Sequence, residues 1–138
     1  MAHLPFFSYD GYGKDVEPVF HYSQAVKRGD IIEISGQGGW DPKTHAVDPD
    51  INKQIDQAFE NVQLALVTAG GQGWVEVYKI RAYFTNLDDP THIDAFVRNM
   101  RKWLPGHKPL LTAVGVKVLA FENMKVEIEV AAETKSAA

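Results

Sequence analysis

The chain of 138 residues contains no cysteine. That excludes disulfides, thiolate nucleophiles and cysteine-ligated metals. No apolar run approaches the roughly eighteen residues that cross a bilayer. The opening Met1-Ala2-His3-Leu4-Pro5 carries neither a basic leader region nor an arginine-rich amphipathic stretch, so a cytoplasmic protein is expected. Positive charge is also in short supply, with 14 Lys and Arg against 18 Asp and Glu and a net charge of −4. Phosphate backbones are held by basic stripes, and none is visible, so a nucleic-acid partner is not expected. The five histidines are scattered without ligand spacing, and no metal site is expected. Gly36-Gln37-Gly38-Gly39 lacks the Lys-Ser/Thr that would complete a phosphate loop, and reads as a strand end or bulge.

What is present is ordinary for a globular domain: 45% hydrophobic and 23% charged residues, in a length that fits one domain over 1–138. Residues up to about Pro18 read as irregular, with a short strand at Phe6 to Tyr9. Val19 to Val26 reads as a strand, Arg28-Gly29-Asp30 as a turn and Ile31 to Ser35 as its hairpin partner. Ile55, Phe59, Val62 and Leu66 form one apolar stripe and predict a helix over Ile51 to Ala69, capped by Asp48 or Asp50 and ended by Gly70-Gly71. Trp74 to Phe84 reads as a strand with Tyr78, Ile80, Ala82 and Phe84 on one face. Asp89-Pro90 starts a second helix, carrying Ile93, Phe96, Val97, Met100 and Leu104, and Pro105-Gly106 stops it. Thr112 to Leu119 and Met124 to Ala132 complete the strands, and the tail Lys135-Ser136-Ala137-Ala138 reads as frayed. The order β-β-α-β-α-β-β predicts an α+β fold, a mixed sheet with two helices on one face. The other face, taken as partly apolar through Val75, Val77 and Ala113, predicts burial by self-association.

The chemistry-bearing segment is Lys125-Val126-Glu127-Ile128-Glu129-Val130-Ala131-Ala132. Val126, Ile128 and Val130 alternate with Glu127 and Glu129, the period of a strand with one buried face. A carboxylate there is either a solvated or paired strand charge or a placed acid/base group. Tyr22 reads as a phenol that contacts a ligand or as a strand aromatic bonded at its tip. Ser35, beside glycines, offers hydroxyl and backbone donors, and no neighbouring base makes it a nucleophile. Trp40, Trp74 and Trp103 read as packing or subunit-contact residues.

Ser35-Gly36-Gln37 after a strand, Asn61-Val62 in a helix, Ala69-Gly70 at its end, Val77 with Lys79, and Val126-Glu127-Ile128-Glu129 together resemble the RidA family, also called YjgF or L-PSP endoribonuclease-like. The resemblance runs from about Tyr22 to Ala132. It implies a chorismate-mutase-like (bacillus type) fold, a homotrimer, and clefts between subunits that bind small metabolites without a metal or organic cofactor. It implies hydrolysis of enamines and imines to keto acids and ammonia. By resemblance, Glu127 places a catalytic water. Tyr22, Ser35 with Gly36, Tyr83 and Asp94 contact the ligand.

Asp94 stands where the family has an asparagine, and a second departure from the family pattern matters more. Where deaminating members place an arginine after a proline, this chain has Pro109-Leu110-Leu111-Thr112. Leucine has no charge and no donors with which to clamp a carboxylate. Leu111 and Thr112 are expected at the ligand, Leu111 as an apolar wall that raises the pKa of Glu127. Lys108, three residues away, is read as pointing to the opposite face. The expected activity is hydrolysis or tautomerisation of an enamine or imine without a carboxylate. The alternatives are a non-catalytic module that binds a small molecule or a protein, and thirdly an endoribonuclease.

Overall fold

A computed structural model describes residues 2–135. Ser136, Ala137 and Ala138 of the small-residue tail lie outside the described residues. Ten elements follow in order: β1 (Phe6–Phe7), α1 (Tyr12–Phe20), β2 (Ala25–Arg28), β3 (Ile31–Ile34), α2 (Ile51–Thr68), a single 3-10 turn (Trp74–Glu76), β4 (Val77–Phe84), α3 (Pro90–Trp103), β5 (Leu110–Gly115) and β6 (Val126–Glu133). The strands form one sheet in the order β1-β2-β3-β6-β4-β5. Every pairing is antiparallel except β4 with β5, so the sheet is mixed.

The expected α+β class holds, but there are three helices rather than two. Residues 12–20 are helical where the sequence reads as irregular chain running into a strand. Gly13 and Pro18 depress helix propensity there. Packing decides instead, because Tyr12 and Val16 lie one turn apart and are buried. Gly11 opens the helix at φ +79°, and a Cβ on it would lie 2.1 Å from the Pro42 carbonyl oxygen. His21 closes it in the left-handed conformation, at φ 58°.

Asp50 caps α2, its carboxylate accepting from the backbone N–H of Asn52 and Lys53 at 2.9 and 3.2 Å. Asp89 caps α3, with Pro90 at the first position. The two helices lie side by side, joined through Asp56, which accepts from Arg98 and from Asn99 at 2.8 Å each. Phe59, Phe84, Phe96 and Trp74 interlock beneath them, with Phe59 stacked on Trp74 at 4.6 Å and edge-on to Phe96 at 5.1 Å. This is the centre of the core. No helix among the described residues is long and apolar enough to cross a membrane.

Strand pairing places Ile80, Ala82, Phe84, Val126, Ile128 and Val130 on the core face. Arg81, Tyr83, Glu127 and Glu129 point the other way, with Lys79 and Glu33 exposed at the same surface. That face is therefore charged and, as expected, also partly apolar, because the β4–β5 register sets exposed Leu110 and Val114 beside Lys79 and Tyr83. The residues expected to make it so are different ones. Val77 is fully buried, Val75 belongs to the 3-10 turn, and Ala113 pairs with buried Ala82 on the core side. A register slip between Val77 and Lys79 breaks the alternation and leaves Tyr78 exposed instead of in line with Ile80. β5 and β6, consecutive in sequence, are not neighbours. β6 runs between β3 and β4, and the connection 116–125 crosses from the sheet edge to its centre.

Candidate functional site

The site is built on the loop that leaves β3, Ser35 to Trp40. Gln37 exchanges both main-chain hydrogen bonds with Ile128, at 2.8 and 2.9 Å, which fastens the loop beside Glu127. Its fully buried side chain is satisfied at both ends. Nε2 donates to Gln24 Oε1 at 2.8 Å and to the Ser35 carbonyl at 3.0 Å, while Oε1 accepts from the Tyr9 hydroxyl at 2.7 Å. The Tyr9 oxygen in turn accepts from Trp40 Nε1 at 3.0 Å. Asn61, buried on α2, donates to the carbonyls of Gly38 and Trp40 at 2.8 and 2.7 Å. Unpaired buried polar groups are costly, so these bonds hold the loop to one geometry, with Gln24 Nε2 buried and unbonded at the end of the set. Gln54 on α2 does the same for the 116–125 connection, donating to the Asn123 carbonyl at 3.0 Å and accepting from Lys125 N–H at 2.6 Å.

Over this floor lies a cleft of about 340 Å³ lined by Tyr22, Ser35, Gly36 and Glu127 together with Tyr12, Phe20, Trp40, Ala120, Phe121 and Met124. Glu127 comes within it because residue 36 has no side chain. A Cβ at Gly36 would lie 2.5 Å from Glu127 Oε1. Burial first, and the neighbouring Glu129 carboxylate second, push the Glu127 pKa above the ordinary carboxylate range. Burial likewise raises the Tyr12 phenol, helped by Tyr22, Tyr9 and Glu127 nearby, so Tyr12 is neutral and able to donate at neutral pH. The Ser35 hydroxyl donates to the Ser23 carbonyl at 2.7 Å and presents its lone pairs elsewhere. No cation lines the cleft.

Four of the residues expected at the ligand, Tyr22, Ser35, Gly36 and Glu127, thus share one cavity. Tyr22 reaches it from the turn after α1, not from a strand, because β2 begins only at Ala25. Tyr83 lies opposite Glu127 across the β4–β6 pair and its hydroxyl donates a hydrogen bond to Glu129, whose carboxylate raises the phenol pKa. It stands beside the cleft on the charged sheet face. Thr112 faces the same way, paired with Arg81 one strand further out. Asp94 is exposed on α3 and does not reach the cavity.

Leu111 pairs with Ile80 and so points to the helix side of edge strand β5, away from Glu127 within the protomer. It lines a separate groove with Met100, Leu104, Arg101, His107 and Lys108, which shares no lining residue with the Glu127 cleft. Two expectations change accordingly. Within the protomer, the Glu127 environment comes from α1, Trp40 and the 116–125 connection, and Leu111 does not reach it. Lys108, together with Arg101, borders the Leu111 groove, because the chain bends through Pro105 to Pro109 before β5 begins at Leu110.

The aromatic wall escaped the sequence reading. Tyr12, Val16 and Phe20 recur at intervals of four, a helical signal outweighed by Gly11, Gly13 and Pro18. Trp40, read as packing, is indeed buried and stacked on Tyr12 at 4.0 Å, and it also lines the cleft. Among the described residues, no group of three or more His, Asp or Glu is arranged to hold a metal ion.

Residues 13–134 match the family model described as Endoribonuclease L-PSP. The chain is 33% identical over 114 residues to a 2-iminobutanoate/2-iminopropanoate deaminase of Dermatophagoides farinae, covering 82% of this chain and 85% of the relative. The structure of RidA from an Antarctic Psychrobacter superposes with a TM-score of 0.73 at 34% identity, over 81% of this chain and 87% of that one. Escherichia coli TdcF, solved with bound serine, gives 0.73 at 27% identity, over 83% and 88%. With the Ser35-Gly36-Gln37 loop, the Glu127 strand and the sheet order all in place, the chain belongs to the L-PSP endoribonuclease family, that of the RidA and RutC proteins.

Proposed function

We propose that this protein hydrolyses an enamine or imine that lacks a carboxylate, and that it works as a homotrimer of the chorismate-mutase-like kind. The observation that carries the activity is a half-buried carboxylate, Glu127, facing a cleft that contains phenol and hydroxyl groups but no cation. The related deaminases by name support the reaction class. A carboxylate of raised pKa is suited to move protons near neutral pH.

In this reading Glu127 takes a proton from water as the water oxygen bonds to the C=N carbon. The nitrogen gains a proton, the C–N bond then breaks, and ammonia leaves as the carbonyl forms. An enamine first takes a proton at carbon to become the imine. Tyr22 and Tyr12 donate to the nitrogen or the developing oxygen, and Ser35 orients the water. A carboxylate substrate would meet Glu127 without a compensating charge inside the protomer, which disfavours it. The homotrimer reading rests on the uncovered charged sheet face and on the family.

The test is ammonia release from carboxylate-free imines and from 2-imino acids, with wild type and Glu127→Gln. Turnover of the former exceeds turnover of the latter, and the variant loses about a hundredfold or more. Equal rates for variant and wild type would remove Glu127 from the reaction.

A further inference from the structure

Four rings close round the mouth of the Glu127 cleft, and they come from three separate parts of the chain. Tyr12 and Phe20 stand at the two ends of α1, Trp40 follows the Ser35 loop, and Phe121 sits in the 116–125 connection. Tyr12 lies nearly parallel to Trp40, with centroids 4.0 Å apart and planes at 19°. Phe121 is edge-on to both, at 6.4 Å and 88° from Tyr12 and at 6.5 Å and 86° from Trp40. Phe20 meets Phe121 at 6.0 Å and 60°.

Rings that serve only the core are closed over by other side chains. Here Phe20 remains 55% exposed above the buried Tyr12 and Trp40, and the same cavity is also lined by Tyr22, Ser35 and Glu127. The lining thus combines flat apolar rings with polar and titratable groups, and Tyr12, close to Tyr22 and Glu127, joins the two. Aromatic faces and edges favour other flat π systems in stacked or edge-on contact. Ligand sites commonly pair such an apolar body with a few placed polar groups. Tyr12 also precedes the stretch matched by the family model, which begins at residue 13.

We propose that Tyr12, Phe20, Trp40 and Phe121 are specificity-determining residues that make this cleft select a substrate with a flat aromatic or conjugated body attached to its C=N carbon. The proposal rests on the hydrolase reading for its chemistry and adds the substrate class. The ring lies against Phe121 and Phe20, and the C=N carbon then points to Glu127. The balance is that of simple hydrolysis: the aryl imine and one water give the aryl aldehyde or ketone and one ammonia, with no redox change.

Two measurements on the full chain test it separately from the parent reading. The first compares kcat/KM for the imines formed in situ by a flavin amine oxidase from benzylamine and from butylamine. The benzyl imine is preferred at least tenfold, and Phe20→Ala and Phe121→Ala each lower that preference by about tenfold. The second is calorimetric binding of benzamide and butanamide, neutral planar stand-ins for the two imines. Benzamide binds at least tenfold more tightly, and the preference shrinks in the same variants. Phe20 is exposed, so Phe20→Ala is expected to fold as wild type, checked by its circular dichroism. Turnover with no preference for the ring, or equal affinities unaffected by either variant, overturns the proposal while leaving the hydrolase reading intact. Ring-selective binding with no turnover of either imine sinks the hydrolase reading and supports the selectivity.

Discussion

Glu127 and Gly36 are adjacent in space by necessity, and each predicts something measurable. A methyl group at position 36 would meet the carboxylate at 2.5 Å, and the side chain would have to swing aside. Gly36→Ala should therefore lower turnover on the order of a hundredfold, the loss typical of a catalytic group displaced by about an ångström. Its circular dichroism should remain near wild type, because the nearest atoms it meets, Oε1, Cδ and Cγ, all belong to the Glu127 side chain and not to backbone. A rate within twofold of wild type would count against the role of Glu127. The pKa of that group is raised, first by burial and then by Glu129. The base form appears at higher pH than for an ordinary carboxylate, so the acidic limb of kcat/KM should sit above that range. Glu129→Gln removes the like charge and should move the limb to lower pH, without restoring an ordinary value because burial remains. The same shift bears on stability. The fold favours the protonated form, so the penalty is absent below the unfolded value and grows as pH rises through the folded one. Glu127→Gln should therefore melt higher than wild type at pH 7, and the gap should close below about pH 4. The strand alternation around Glu127 made this residue legible in the sequence. Its partners were not, because nothing local in Tyr12 or Phe121 says which distant loop they meet.

At the scale of elements, the helices with a clean apolar stripe and a capping aspartate, α2 and α3, stand close to their sequence boundaries. α1 does not, because its two glycines and Pro18 speak against a helix and only burial of Tyr12 and Val16 against Trp40 and the sheet overrides them. Reading 19–26 as strand followed from that omission, and it placed Tyr22 on a strand rather than on the turn behind α1. β5 was misplaced for a related reason: Leu110 and Leu111 belong to the parallel edge pair, while 116–119 leave the sheet. Periodicity marks a strand but not its neighbours, so the passage of β6 to the centre of the sheet was not readable. The loops are held to these elements by buried amides. Asn61→Ala would leave the Gly38 and Trp40 carbonyls without their donor, and should cost about 2–4 kcal/mol, read from urea unfolding, with loss of turnover as the Ser35 loop loosens. A change under about 0.5 kcal/mol would show that water replaces the amide.

At the scale of the whole molecule, one sheet face is covered by α2 and α3 and the other presents Lys79, Arg81, Glu33 and Glu129. The expectation of self-association remains, on charged and hydrogen-bonding groups together with exposed Leu110 and Val114 on the same face. Light scattering should give about three times the protomer mass of 15.4 kDa. Arg81→Glu sets a second carboxylate opposite Glu129 and should shift the mass toward the monomer at low ionic strength, with part of the loss recovered in salt. An unchanged mass would place the interface elsewhere.

The position of β6 has a consequence for how the chain reaches this state. It is the seam between two half-sheets, β1-β2-β3 on one side and β4-β5 on the other, and neither half touches the other without it. A polypeptide emerging from the ribosome must hold both halves open, hydrophobic edges and all, until Val126 to Glu133 arrives. Protection by chaperones is then needed latest, not earliest, and a copy cut short before Val126 should show no cooperative melting.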